Sequence, residues 1–438
     1  MTDFTMLGLQ PRLLKQLQEQ GLDTPTPIQA RAIPEVMQGK DVMGLAQTGT
    51  GKTLAFGLPL LHAALSEGSK PSPKTTRALI LAPTRELVNQ IADGLFPFIK
   101  GTHLKLNRVV GGTSINNQIK RLDRGTDILV ATPGRLIDLI DRKAVSLGET
   151  TFLVLDEADQ MLDMGFIHAL RQLVPMLAKE RQTMLFSATM NKQMNEIAQS
   201  YLNNPIRIEV SPPGKAADKV DQEVHFVPAG EKLDLLKKML AGHRGDLALV
   251  FARTKHGAER MSKQLQKAGF EAGSIHGNKS QNQRERTLKM ARDGKLEVLV
   301  ATDVAARGID IPLVRHVYNY ELPNVPENYV HRIGRTARAG REGKAVAFCA
   351  PTELGEFRDI EKVMKISIPI ATTASWANDA PAAKPKPQGR GGRGRGRGGN
   401  GGGGSKSFGG KQGAPKNGSG RPNRSRRRSG GGGNHASA

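Results

Sequence analysis

Asp41-Val42-Met43-Gly44-Leu45-Ala46-Gln47-Thr48-Gly49-Thr50-Gly51-Lys52-Thr53 is the stretch on which the fold turns. Asp41–Ala46 is short and mostly apolar, as a buried strand is, and Leu54–Leu65 carries the apolar spacing of a helix. A glycine-rich turn between strand and helix makes a phosphate cradle. Glycines let successive backbone N–H groups face phosphate oxygens, and the start of the helix adds positive partial charge. Ala46, Gln47, Thr48, Gly49, Thr50 and Gly51 form the loop, Lys52 is placed to reach the β- and γ-phosphates, and Thr53 is placed to hold Mg²⁺. The strict pattern has glycine where this chain has Ala46. In isolation the stretch could be a chance turn; its place at a strand-to-helix junction gives it meaning.

Downstream, Phe152-Leu153-Val154-Leu155 runs straight into Asp156-Glu157-Ala158-Asp159. A carboxylate at the carboxyl end of a buried strand is where the Mg²⁺ partner of a phosphate loop belongs. Asp156 is therefore expected to act through the metal, and Glu157 to orient or activate the attacking water. Acidic residues also favour helix starts for electrostatic reasons alone. The phosphate loop upstream makes the catalytic reading the better one.

Working outward, short aliphatic runs at Asp41–Ala46, Ala78–Ala82, Asp127–Ala131, Phe152–Leu155 and Thr183–Ser187 alternate with amphipathic helical patterns. That alternation predicts an α/β domain, a parallel sheet with helices on both faces, over residues 1–208. Ser211-Pro212-Pro213-Gly214-Lys215 breaks the pattern and reads as a linker, residues 209–218. A second α/β series over 219–370 has strands predicted at Gln222–Val227, Ala248–Phe251, Glu271–Ile275, Val298–Ala301, His316–Asn319 and Ala345–Phe348. The sequence therefore predicts two parallel-sheet domains in tandem, without an evident sequence repeat between them. Residues 371–438 form a tail: 381–438 hold 20 glycines and an Arg-Gly pattern at Arg390, Arg393, Arg395 and Arg397. Such a segment has too little apolar surface to offset its ordering entropy and is expected to be disordered.

The net charge is +23, from 64 basic and 41 acidic residues. Residues 381–438 hold 14 of the basic residues and no acidic one, which leaves 50 against 41, a net of +9, for residues 1–380. Such a field points to a polyanion. The tail has almost no apolar residues to insert into lipid, so nucleic acid is favoured over a membrane surface. Non-specific affinity through counterion release is its expected contribution, and a flexible solubilising tail is the alternative. No run approaches the length of a spanning helix. The opening residues Met1–Gln16 carry an early Asp3 and no Lys/Arg-led apolar stretch, so they do not read as a signal peptide. The single cysteine, Cys349, rules out an intrachain disulfide and suits a reducing cytoplasm.

Asp156-Glu157-Ala158-Asp159 is also the name-giving motif of the DEAD-box RNA helicases, and from about Phe4 to Ile370 the chain resembles that family. Phe4 precedes Gly21 by seventeen residues, and Pro25-Thr26-Pro27-Ile28-Gln29 follows, like the family's Q motif. The phosphate loop has the family's own Ala-x-x-Gly-x-Gly-Lys-Thr form. Pro83-Thr84-Arg85-Glu86-Leu87, Gly111-Gly112, Thr132-Pro133-Gly134-Arg135 and Ser187-Ala188-Thr189 complete the first half. The second half carries Val250-Phe251-Ala252-Arg253-Thr254, Gln281 with Arg284, the run from Ala301 to Asp310, and the run from His331 to Arg338. One departure shows: Ala337 stands where the family usually has glycine, a change of one methyl that keeps both flanking arginines. Within the family the sequence looks closest to the bacterial RhlE-like branch.

The resemblance implies two RecA-like domains that close around ATP and single-stranded RNA. It implies that Gln29 reads the adenine edge, Phe4 packs on the base and Asp310 contacts the ribose. Arg335 and Arg338 would then act on the γ-phosphate from more than 280 residues beyond Lys52, which only closure of the domains allows. An arginine finger supplied that way is worth about 10³–10⁵ in rate. Ser187, Thr189, Asp159 and His331 are implied to couple the nucleotide to RNA. The implied RNA contacts are Pro83, Thr84, Arg85, Gly111, Gly112, Thr132 and Arg135 in the first domain, and Arg253, Thr254 and Thr302 in the second. These small groups and arginines suit phosphate and 2′-OH recognition rather than base reading. Aromatics at 4%, with one Trp and four Tyr, give no evident stacking platform.

Four activities fit in different degrees. An ATP-dependent RNA helicase, opening duplexes locally and without processive stepping, uses every motif. An RNA clamp or chaperone needs the same residues, although a complete catalytic set favours turnover. A DNA translocase of a related branch fits the Q motif and the Asp-Glu-Ala-Asp form less well. A phosphate-loop kinase has no use for a second domain or a polycationic tail. Ribosome assembly, messenger decay and cold adaptation stay open as settings, with ribosomal or mRNA-decay complexes as partners.

Overall fold

The apolar runs of the sequence become the strands of two parallel sheets. The computed structural model describes residues 3–46, 49–210, 220–309, 311, 313–337 and 342–372. In the first lobe the strands are β1 (Val42–Leu45), β2 (Thr76–Leu81), β3 (Leu106–Val109), β4 (Thr126–Ala131), β5 (Phe152–Leu155), β6 (Gln182–Ser187) and β7 (Ile206–Glu209). In the second they are β8 (Val220–Phe226), β9 (Leu247–Phe251), β10 (Ala272–Ile275), β11 (Val298–Ala301), β12 (Val314–Asn319), β13 (Gly343–Cys349) and β14 (Ile370–Thr372). The spatial orders are β3-β4-β2-β5-β6-β1-β7 and β10-β11-β9-β12-β13-β8-β14. Subtracting seven from each second-lobe number reproduces the first order, so the two halves share one topology.

Alternate residues of each central strand feed opposite faces. Phe152 and Val154 enter one core with Ile80, Val130, Met184 and Phe186; Leu153 and Leu155 enter another with Leu79, Leu129 and Leu185. The second sheet divides likewise, with Leu249 and Phe251 on one side and Ala248 and Val250 on the other. A sheet covered on both faces needs apolar residues at every position, which explains the unbroken aliphatic runs. Each fully buried Leu, Ile or Val contributes about 1.5–3 kcal/mol.

Three strands escaped the sequence reading, and all lie at or beside sheet edges. β3 reads Leu-Asn-Arg-Val with three half-buried positions, β7 reads Ile-Arg-Ile-Glu, and β14 is exposed throughout. With one side or face open to water, they carry no continuous apolar signal. β7 reaches Glu209, inside the segment read as linker, and Val210 N–H donates to Leu45 O. β14 ends at Thr372, two residues past the expected end of the second domain. The rest of the linker, residues 211–218, with residue 219, and the rest of the tail, 373–438, lie outside the described residues. Among the described residues no helix is long and apolar enough to cross a membrane.

Asp41 ties the amino end of β1 to its surroundings. Its buried carboxylate accepts from Thr183 N–H and from Asn203 N–H, both at 2.7 Å. Hydrogen bonds to a charged group contribute about 1.5–3 kcal/mol each. Asp41→Ala should lower the stability of the first lobe by about 2–3 kcal/mol, read as a shifted urea midpoint with unchanged slope; an unshifted midpoint would contradict this role.

Candidate active site and nucleic-acid groove

Strand order alone gathers the motifs. The carboxyl ends of β1, β6 and β5 lie side by side, and they carry the phosphate loop, Ser187-Ala188-Thr189 and Asp156-Glu157-Ala158-Asp159. The carboxyl ends of β2, β4 and β3 form the other half of the same rim, and they carry Pro83-Thr84-Arg85, Thr132-Pro133-Gly134-Arg135 and Gly111-Gly112. Ligands of open parallel sheets bind along such a rim.

In the phosphate loop, Gly51 has φ 88° and caps the helix Lys52–Ser66. This left-handed backbone is one that glycine alone adopts without strain. Lys52 is buried, and its Nζ donates to Ala46 O at 3.0 Å. Gln29 closes a capping box at the start of helix Pro27–Met37: its Oε1 accepts from Thr26 N–H at 2.8 Å. Its Nε2 donates to Gly51 O at 3.0 Å. The carboxamide expected at adenine therefore latches that helix to the phosphate loop. Phe4 is buried in the first lobe's core with Leu7, Leu9 and Leu13, and it does not line the nucleotide cleft described below. Thr50 is half-buried beside Gly49.

Glu157 has φ 50° and ψ 49°. Left-handed backbone in a residue with a Cβ costs roughly 1–2 kcal/mol, strain of the kind that concentrates at functional sites. Asp156 and Glu157 are both buried, and Asp156 Oδ1 accepts from Glu157 N–H at 3.0 Å. Burial raises both carboxyls above their ordinary range. For Glu157 it does so to about 7, opposed by the Lys52 ammonium and the Arg335 guanidinium. Glu157 Oε2 is buried with no hydrogen-bond partner among the described residues. Asp159 faces the neighbouring strand end. Its Oδ2 accepts from Ala188 N–H at 3.0 Å, Thr189 N–H at 2.9 Å and Thr189 Oγ1 at 3.1 Å, while Ser187 Oγ donates to Thr189 O at 2.7 Å. The acidic motif and Ser187-Ala188-Thr189 are thus one hydrogen-bonded unit.

The second lobe closes this site. A cleft of about 240 Å³ is lined by Lys52, Thr53, Asp156 and Glu157 from the first lobe and by Gly308, Ile309 and Arg335 from the second. Arg335 is buried; its Nη1 donates to Ile309 O at 3.0 Å and its Nε to His331 O at 3.1 Å. His331 is held below its ordinary pKa by burial, against the pull of Asp159 from the opposite lobe. Ion pairs cross the gap: Arg307 with Asp163 at 3.1 Å and Arg284 with Glu86 at 3.0 Å. Arg85 donates to Gln281 Oε1 at 3.3 Å. Gly308 seats so closely that a Cβ there would lie 2.1 Å from Thr84 Oγ1.

A groove of about 480 Å³ also runs between the lobes. From the first lobe it takes Pro83, Thr84, Arg85, Gly111, Thr132 and Arg135. Gly112 serves it indirectly, because a Cβ there would lie 1.9 Å from Arg85 Nη1. Arg253, Thr254 and Thr302 do not line it. Arg253 Nη2 is held by Leu322 O and the Glu353 carboxylate, at 3.0 and 3.2 Å. Thr254 Oγ1 caps the helix Lys255–Lys267 by accepting from Gly257 N–H. Thr302 N–H donates to Ile275 O.

Residues 26–197 match the family described as DEAD/DEAH box helicase, and residues 231–340 match the helicase conserved C-terminal domain. The ATP-dependent RNA helicase CshA of Listeria monocytogenes is 42% identical over 376 residues, which is 86% of this chain and 71% of that one. The DEAD-box ATP-dependent RNA helicase CshA of Streptococcus pneumoniae is 44% identical over 362 residues, 83% and 68% of the two chains. The chain belongs to the DEAD-box RNA helicase family. Among solved structures, S. cerevisiae Dbp5 bound to RNA and ADP BeF3 superposes with a TM-score of 0.77 at 31% identity, covering 86% of this helicase and 98% of Dbp5. Mss116p bound to ssRNA and AMP-PNP gives 0.76 at 29% identity over 84% and 78%. Each half of the helicase is therefore RecA-like. Both curated relatives carry the name CshA, so the RhlE-like branch gains no support from them.

The sequence reading overlooked several groove residues of the helicase: Met164, Phe166, Gly277, Lys279 and the exposed Val304. Lys279 sits two residues before the noted Gln281 and Val304 lies within the quoted run from Ala301 to Asp310, signals within reach; Met164 and Phe166 carry none. Gln47, Thr48, Asp310 and Arg338 lie outside the described residues. Ala337 is described, and its φ of 53° explains why glycine is usual there: the extra methyl sits on a left-handed residue.

Gly308→Ala should drive a methyl into Thr84 and hold the lobes apart. RNA-stimulated ATP turnover is expected to fall about 10²-fold, while nucleotide binding to the phosphate loop is retained. Turnover at the wild-type rate would show that this close approach is unnecessary.

Proposed function

We propose that this helicase couples ATP hydrolysis to closure of its two lobes over single-stranded RNA, and that closure opens duplexes locally or remodels RNA–protein complexes. The observation that carries the reading is the shared cleft: Lys52, Asp156 and Glu157 face Arg335 from the other lobe, and the same pair of lobes forms the groove beside it. Arg335 can stabilise transition-state charge only when the lobes meet. RNA held across the groove favours that meeting, so the two ligands are linked through one equilibrium.

Lys52 binds the β- and γ-phosphates. Glu157 orients and deprotonates the attacking water; its unpartnered Oε2 and its aim into the cleft support that role. Thr53 and Asp156 line the same cleft with oxygen donors, the type Mg²⁺ prefers, and they are the residues that would hold it. Bound there, the metal would neutralise phosphate charge. Gln29 selects adenine after exchanging one of its two protein hydrogen bonds for the base, with Phe4 supporting the motif from the core. Asp310 contacts the ribose and Arg338 assists Arg335. Asp159, Ser187, Thr189 and His331 transmit the state of the nucleotide to the groove. Pro83, Thr84, Arg85, Gly111, Gly112, Thr132 and Arg135 hold the RNA backbone, and Arg253, Thr254 and Thr302 extend the path along the second lobe. A single-cysteine chain suits the cytoplasm.

ATP hydrolysis measured with single-stranded RNA, with matched DNA and with neither tests the reading. RNA should stimulate strongly and DNA weakly, and Glu157→Gln should lose about 10²–10⁴ in rate while still binding nucleotide. Equal stimulation by DNA would move the protein to the DNA translocases.

A further inference from the structure

Positive charge on the body of the protein is concentrated at one sheet edge. Residues 253–295 hold 11 basic and 4 acidic residues, and the other 337 residues before position 381 hold 39 against 37. This segment is the outer edge of the second lobe: the edge strand β10 with the helices Lys255–Lys267 and Gln281–Arg292. On the first of these helices, Ala258, Met261 and Leu265 face the core, while Arg260, Lys263 and Lys267 are exposed at a three- and a four-residue spacing. They form one stripe about 10 Å long, and Lys255 begins the same helix on a neighbouring face. Like charges at this spacing destabilise a helix. The helix dipole offsets that only for Lys267, in the last turn.

The stripe is joined to the groove. Lys279, which lines the groove, pairs with Glu259 at 2.8 Å, and Glu259 also pairs with Lys263 one turn along at 3.6 Å. Lys255 donates to Asn278 at 3.1 Å, next to Gly277 of the groove. The single acidic residue of the helix thus sits between the groove and the stripe and aligns both lysines.

We propose that Arg260, Lys263 and Lys267 form an auxiliary RNA-docking surface that holds the phosphate backbone of RNA leaving the groove. This rests on the RNA reading of the groove and extends it to a face the family motifs do not include. The contacts are point charges on flexible stems, so the surface grips any sequence and acts through counterion release.

The test uses the full chain carrying Arg260→Gln, Lys263→Gln and Lys267→Gln together, and two RNAs: an oligouridylate just long enough to fill the groove, and the same strand extended by a hairpin. The variant should bind the short strand, and be stimulated by it, as the wild type is. Its affinity for the extended RNA should fall about tenfold or more at low salt, with a log–log salt slope shallower by about 2. The charge-retaining Arg260→Lys should bind the extended RNA normally. Unchanged affinity for the extended RNA, or equal losses on both RNAs, would overturn the surface. Absence of stimulation of the wild type by either RNA would instead overturn the reading of the groove, and the surface with it.

Discussion

Lys52 and Arg335 belong to different lobes and yet line one cleft. Each is fixed in its own lobe: Lys52 by the turn from β1 into its helix, Arg335 by the carbonyls of Ile309 and His331. Neither lobe holds both a phosphate cradle and a counter-charge for the developing transition state. Under the proposed function, that division makes hydrolysis conditional on geometry. Whatever brings the lobes together completes the site, and whatever separates them removes Arg335 from it.

The contacts between the lobes suit reversible closure. Among the described residues they include two ion pairs, a few side-chain hydrogen bonds and the close seat of Gly308 against Thr84. The Arg307–Asp163 pair, with its carboxylate partly exposed, contributes little, on the order of 0–1 kcal/mol, and the more buried Arg284–Glu86 pair gives back much of its attraction as desolvation. A continuous apolar interface would hold the lobes shut; this one leaves the decision to the ligands. Within the first lobe, the carboxylate of Asp159 binds Thr189 and its neighbour directly, and under the proposed function this bond would carry a shift at the nucleotide to the rim that also holds the groove residues. Coupling here needs no long relay, because one sheet edge presents both sites.

Much of this was legible in the sequence. β5 and β11 announce themselves because strands buried on both faces favour unbroken apolar runs, and the turns after β1 and β5 are legible because phosphate and metal chemistry restrict their residues. β7 and β14 were not legible: an edge strand is selected by one neighbour and by water. Phe4 and Gln29 mark a second limit. Their motif is plain in the sequence, but one buries its ring in the core and the other spends its amide on Thr26 and Gly51. A motif names the residues of a site without fixing which atom each presents. The apolar groove members Met164 and Phe166 were invisible for a different reason, since no motif spans them and the groove they line forms only where two lobes meet.

Fluorescence energy transfer between a dye on the first lobe and one on the second tests the central claim most directly. With a non-hydrolysable ATP analogue and single-stranded RNA together, the distance should collapse to one short value, and with either ligand alone it should stay long or broadly distributed. A short distance in the absence of both ligands, or none in the presence of both, would contradict an account in which ATP and RNA together assemble the site by closing the lobes.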